Sequence, residues 1–276
     1  MIECNFGGGG NFLEPFSKGF DDWALQKSEC QKPRKFFHFS SFKKYGFTLA
    51  EILITLGVIG VVAAITIPML ISNYQKKLTV TQLKETYSMF SQAVRLSESE
   101  NGEVAGWQIE SRKNVEFFDT FLAPYLKNFK AKSKANSLVY YTPGGKKETG
   151  LAIIRGGAVV YTLLSGVQIL VNDGTVIGDQ QKDGTFRLSV LIDLNGYNSP
   201  PNKFGRDTFF VQINSARGIV FSYLDDGEDS NKYKTREQLK DGPSKFSYQC
   251  NKNGRGLWCG ALIEKDGWNI SRDYPW

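Results

Sequence analysis

Residues 46–71 read GFTLAEILITLGVIGVVAAITIPMLI, and this stretch limits the possible folds more than any other. Ile52 to Ile67 are sixteen residues without a charge. Continuing through Pro68 to Ile71 gives about the length needed to cross the hydrocarbon core of a bilayer. Glu51 stands at the mouth of the run. A carboxylate is costly to place in lipid, so one found there is a candidate functional group. Lys43, Lys44, Tyr45 and Gly46 come directly before it.

Charge sets the direction of the segment. Lys32, Arg34, Lys35, Lys43 and Lys44 all precede the apolar run. Short basic flanks stay on the cytoplasmic side, so the C-terminal part is expected on the exported side. An ordinary secretory signal would carry a small-residue cleavage site after a shorter apolar core, and none is evident. The whole chain of 276 residues leaves room for one membrane helix and one sizeable globular domain. Its net charge of +6 is mild and dispersed. No compact basic stripe stands out beyond the N-terminal stretch, which weakens nucleic-acid binding as a main role.

The sequence Lys43-Lys44-Tyr45-Gly46 followed by Phe47-Thr48-Leu49-Ala50-Glu51 and an apolar helix resembles the N-terminal signal of type IV prepilins and type II secretion pseudopilins. The resemblance implies cleavage between Gly46 and Phe47 by a prepilin peptidase, then methylation of the new N-terminus at Phe47. It implies a leader over 1–46 that is removed, an N-terminal helix over 47–100 that is transmembrane over about 49–71, and an exported head over 101–276. The matching partners are other pilin or pseudopilin subunits and an inner-membrane assembly platform. The implied location is the bacterial inner membrane, single-pass with the head outside the cytoplasm, and then a pilus or pseudopilus.

Phe47 and Glu51 are four residues apart and share a face if both are helical. The amino group freed at Phe47 can then pair with the Glu51 carboxylate of a neighbouring subunit and offset its cost in lipid. The alternative is a plain signal-anchor helix whose Glu51 reaches the interface. Forty-six residues is long for such a leader. Either the leader is extended or the true start lies downstream, and no Met between Met1 and Met69 decides it. Cys4, Cys30 and His38 belong to this leader and are given no metal role.

Beyond Pro68, Val80, Leu83, Tyr87, Phe90 and Val94 recur at steps of three and four, an apolar stripe on one helix face. Pro68 should kink or loosen the helix, and Asn101-Gly102 ends the pattern. Val115–Leu126 reads as a short helix weakened at Pro124. Strand texture follows over 137–142, 158–164, 167–171, 187–192, 208–213 and 219–223, with turns at Pro143-Gly144-Gly145, Asn172-Asp173-Gly174 and Ser215-Ala216-Arg217-Gly218. Leu188, Val190 and Ile192 should share one face. A long helix followed by an antiparallel sheet is α+β. That agrees with the pilin-like fold the resemblance implies, in which the long N-terminal helix packs on the sheet of the head.

Catalysis finds little support. Without the leader the chain has no histidine, which argues against histidine triads and most zinc enzymes. No Gly-rich phosphate loop is present. The loop from Asp193 to Asp207 is rich in oxygen ligands, and Asp193, Asn195 and Asp207 could hold Ca²⁺, as some pseudopilins do in a loop at the end of the sheet. A loop shaped by Asx-turns, Gly and Pro is the plainer reading. The acidic cluster Asp225, Asp226, Glu228 and Asp229 reads as a solvated loop, with calcium as the alternative. Cys250 and Cys259 are expected to form a disulfide on an oxidising side, with two free thiols as the alternative. Trp258, Trp268 and Trp276 are expected to close the core or the sheet edge. Function then comes from assembly, as a structural subunit of a type IV pilus or type II secretion pseudopilus. The alternative is an adhesive or DNA-binding minor pilin whose head carries the activity.

Overall fold

The computed structural model describes residues 46–108, 113–173, 187–214, 218–221, 234–244 and 246–276. The leader residues Cys4, Cys30 and His38, the turn at 215–217 and the acidic cluster at 225–229 lie outside the described residues. The chain divides into two compact units, residues 1–55 and 56–276.

Helix α1 spans Leu49–Asn101 and runs through Pro68 without interruption. Its last turn closes at Gly102, whose φ of +81° lets the backbone leave the helix where a side chain would be strained. Two kinds of surface follow each other along it. From Leu49 to Ile71 almost every side chain is exposed, including Ile54, Leu56, Val58, Ile65 and Met69. From Leu83 onward one face is buried: Leu83, Thr86, Phe90, Ala93, Val94 and Ser97. The expected stripe supplies most of that face, with Val80 and Tyr87 packed at its margin. Each fully buried apolar side chain there contributes about 1.5–3 kcal/mol.

The stripe packs on a six-stranded antiparallel sheet formed by β1 (Phe129–Ala135), β2 (Ala158–Leu163), β3 (Gln168–Val171), β4 (Arg187–Asp193), β5 (Thr208–Asn214) and β6 (Gly218–Phe221). The strands lie in sequence order, each beside its predecessor. Leu188, Val190 and Ile192 share the core with α1, as their alternation requires. The other sheet face is covered too. Val160, Leu170, Leu191 and Phe210 pack there under Tyr140, Ile153, Ile154, Phe204 and Leu257. Among the described residues four short helices complete the head: α2 (Asn114–Phe121), α3 (Ala152–Arg155), α4 (Arg236–Asp241) and α5 (Cys259–Lys265). The architecture is α+β and pilin-like.

Two local expectations are corrected. Residues 137–142 form no strand; Tyr141 makes only isolated bridges, to Lys147 and Lys203. The first strand is instead Phe129–Ala135, FKAKSKA, an edge strand exposed in six of its seven positions. Lys130, Lys132 and Lys134 alternate along it. Lysines on an edge strand discourage pairing with another chain. Lys132 is neutralised by Asp119 on the helix α2, Asn114–Phe121. The expected helix over 115–126 ends at Phe121, and a 3₁₀ turn at Ala123–Tyr125 takes over around Pro124.

Candidate functional site

The start of α1 is built from three residues. Thr48 precedes the helix, and its backbone N–H donates to Glu51 Oε2 at 2.8 Å. Its hydroxyl donates to the same oxygen at 2.9 Å, while the Glu51 N–H donates back to Thr48 Oγ1 at 3.2 Å. This reciprocal pair is a capping box, which satisfies amide hydrogens that have no partner within the helix. The Ile52 N–H reaches the Thr48 carbonyl at 3.2 Å and closes the first turn. Thr48 is the functional residue that the sequence reading missed. Its signature was present, since Thr-x-x-Glu ahead of an apolar run is the sequence form of the motif.

Gly46 and Phe47 lie just before the cap. A side chain at Gly46 would meet nothing within 4 Å, and Phe47 is 82% exposed. No described residue crowds the bond between them. Phe47 precedes the first helical residue, so the shared helical face expected for Phe47 and Glu51 is not formed here. Thr48 caps the helix at this point, and the Phe47 nitrogen is a peptide amide without charge. Glu51 is satisfied by Thr48 instead. Along the rest of the run, Thr55 and Thr66 turn their hydroxyls to the Ile52 and Val62 carbonyls at 2.9 Å each. No bare hydroxyl faces outward from these positions, which suits an apolar solvent. By length and composition α1 can cross a membrane, with a mean hydropathy of 2.5 over its most apolar stretch.

The loop between β4 and β5 holds the other predicted residues. Asp193 is fully buried and Asp207 is buried. Asp193 accepts hydrogen bonds from the Tyr140 hydroxyl at 2.9 Å and from the amides of Asn195 and Gly196 at 3.3 and 2.8 Å. Asp207 accepts from the amides of Asn202 and Lys203 at 2.8 and 2.5 Å and from the Thr208 hydroxyl at 3.2 Å. The Asn195 side chain donates its amide to the Ser199 carbonyl at 2.7 Å. Each carboxylate oxygen thus serves a protein donor, and a calcium ion would have to displace these bonds. Among the described residues no group of three or more His, Cys, Asp or Glu side chains is placed to hold a metal. Burial pushes the Asp193 carboxyl up to about 7, with a further push from Asp207, which is itself raised by burial.

Cys250 and Cys259 form a disulfide with their Cα atoms 4.8 Å apart. Cys259 opens α5, and the Cys250 amide donates to the Leu239 carbonyl in α4 at 3.0 Å, so the bridge joins the two helices. A loop of this size contributes about 2–3 kcal/mol. Within it, Arg255 makes a two-pronged contact with the buried Glu148, at 2.7 and 2.8 Å. Trp258 is fully buried, and Trp268 packs edge-on against Tyr87 and Phe221. Trp258 lies inside the core and Trp268 and Trp276, both partly buried, pack against its margin, as expected.

Residues 69–164 and 226–276 match a family of unknown function (DUF6613). Residues 41–67 match the prokaryotic N-terminal methylation motif. That match contains Gly46, Phe47, Thr48 and Glu51, so the chain carries a type IV prepilin-like or pseudopilin-like signal. No curated protein and no solved structure matches the chain.

Proposed function

The chain belongs to this family of unknown function (DUF6613), and we propose that it is a pilin-like structural subunit, processed at Gly46-Phe47 and assembled through α1 into a type IV pilus or type II secretion pseudopilus. One observation carries the reading. An exposed helix, uncharged from Ile52 through Ile71, is headed by the Gly46-Phe47 bond and a single carboxylate, all inside a methylation motif. Exposed apolar surface of this extent demands a lipid or protein covering. In the membrane the covering is lipid. In a filament it is the helices of neighbouring subunits, where Gly57 and Gly60, which face open space in this chain, permit close approach because they carry no side chain.

The roles divide accordingly. A prepilin peptidase removes residues 1–46 and leaves Phe47 as an N-methylated amino terminus. That charged nitrogen then competes with Thr48 for the Glu51 carboxylate of an adjacent subunit, converting a cap within one chain into a contact between two. The assembly platform of the inner membrane receives the subunit, and the disulfide-braced head stays outside the cytoplasm. Mass spectrometry of the protein extracted from membranes tests this. The expected N-terminus is N-methylated Phe47. An intact leader, or cleavage beyond residue 70, overturns the proposal.

A further inference from the structure

Where α1 leaves its exposed apolar stretch, basic and aromatic side chains from distant parts of the chain meet. The loop between β4 and β5 is fastened to the helix at this level. The Arg206 guanidinium donates to Gln75 Oε1 at 3.2 Å, and the Thr79 hydroxyl donates to the Arg206 carbonyl at 3.1 Å. The C-terminal Trp276 is held between two cations, with Lys76 Nζ 5.9 Å and the Arg206 guanidinium 5.4 Å from its ring centre. Lys77 is exposed beside Lys76, and Tyr74 is 65% exposed one turn before Leu78. Lys203 faces Arg206 and Lys252 as like charges, and its ammonium is pushed below the usual range by burial and by both of them, with only Asp207 opposing. Four cations, Lys76, Lys203, Arg206 and Lys252, gathered with the carboxylate of Asp207 favour an anionic partner.

Position identifies that partner. Twenty residues at 1.5 Å each, Ile52 to Ile71, cover about 30 Å, the thickness of the hydrocarbon core. Gln75, Lys76 and Lys77 then lie about 6–9 Å beyond Ile71 along the helix. The headgroup layer on each side of the core is about 5–8 Å thick. The collar therefore falls at headgroup level, where Trp and Tyr rings are favoured and where Lys and Arg meet phosphates.

We propose that Lys76, Lys77, Lys203 and Arg206, with Tyr74 and Trp276, form a surface for anionic phospholipid headgroups that seats the head on the outer face of the membrane. The inference rests on the reading of α1 as membrane-spanning. While the subunit waits for assembly, these contacts fix its depth and tilt. Extraction into a filament breaks them, so lipid charge sets part of the work of assembly.

The test uses the full chain in phosphatidylcholine vesicles with and without phosphatidylglycerol. Spin-labelled forms of the two lipids report their relative association with the protein. The expected result is a severalfold preference for phosphatidylglycerol, weakened by salt. It should fall to near one in the triple variant Lys76→Gln, Lys77→Gln, Arg206→Gln, and at least halve in Lys77→Glu, an exposed position where folding is not at stake. Quenching of Trp276 by headgroup-labelled lipid, read as the difference from Trp276→Phe, should be present in the wild type. Equal association of both lipids, or a preference that survives in Lys77→Glu and the triple variant because the leader lysines supply it, overturns the collar. Saturable binding of free glycerol phosphate by the protein in detergent, read from Trp276 fluorescence, overturns the lipid surface in favour of a soluble ligand. A chain that fails to float with either vesicle instead overturns the membrane-spanning reading itself.

Discussion

Asp193 shows how much one side chain can depend on what covers it. The run DLNGYNSPPNKFGRD looks like a solvated loop, yet Asp193 has no exposed surface because Tyr140 and Phe204 roof that side of the sheet. Burial favours the protonated form, and the folded carboxyl rises to about 7 from its ordinary value of 3.8. Between about pH 4 and pH 7 the folded chain therefore holds a proton that the unfolded chain has released. Stability from this group is full below pH 4 and is lost as the pH rises through 7. A shift of about three units corresponds to up to about 4 kcal/mol. Asp193→Asn keeps an acceptor for the Asn195 and Gly196 amides but cannot ionise. Thermal melts from pH 4 to pH 8 should show the wild type losing stability over that range and the variant losing clearly less, the remainder coming from Asp207. Parallel curves would remove Asp193 from the account. The loop itself announces little of this: Phe204 belongs to it, but Tyr140, the hydrogen-bond partner in the roof, lies fifty-three positions away.

At the scale of elements, legibility followed periodicity. The three-and-four spacing from Val80 to Val94 placed the buried face of α1, and the alternation of Leu188, Val190 and Ile192 placed β4 correctly. β1 escaped because its alternating lysines hide an edge strand that buries only Ala135. α4 was legible but unread: Thr235 and Gln238 are the ends of a capping box, which the structure contains. The cap of α1 has the same form, and it separates two roles of one carboxylate. Glu51→Ala should leave cleavage at Gly46 largely intact, because the bond lies outside the helix. It should lower filament yield by at least tenfold, because the new amino terminus loses its partner. Thr48→Val removes the hydroxyl bonds and keeps the carboxylate, so its filaments should form at reduced yield, with faster amide hydrogen exchange over 49–52. Sheared-filament assays beside mass spectrometry of the N-terminus check both. Normal filaments from Glu51→Ala would remove the pairing from the mechanism.

For the whole molecule the consequence is that α1 carries two independent burdens. Its segment from Leu83 to Ser97 is part of the head core, and its segment from Leu56 to Ile71 is exposed at nearly every position. Substitutions in the two should therefore fail in different ways. Leu83→Ala removes a fully buried side chain beneath the sheet and should cost about 2–5 kcal/mol. For a domain of this size that lowers the melting temperature by roughly 4–20 °C. Leu56→Ala and Val62→Ala shorten side chains already 61% and 55% exposed, and leave no cavity in the head. Their melting temperatures should match the wild type within about 2 °C, since surface changes stay within about 0.5 kcal/mol. Their filaments should nevertheless dissociate sooner, because the packing they lose exists only between subunits. Calorimetry of the detergent-solubilised chain together with a filament dissociation assay distinguishes the classes. If Val62→Ala lowered the melting temperature as far as Leu83→Ala, the apolar segment would be packed against the head, and neither lipid nor neighbouring helices would be needed to cover it.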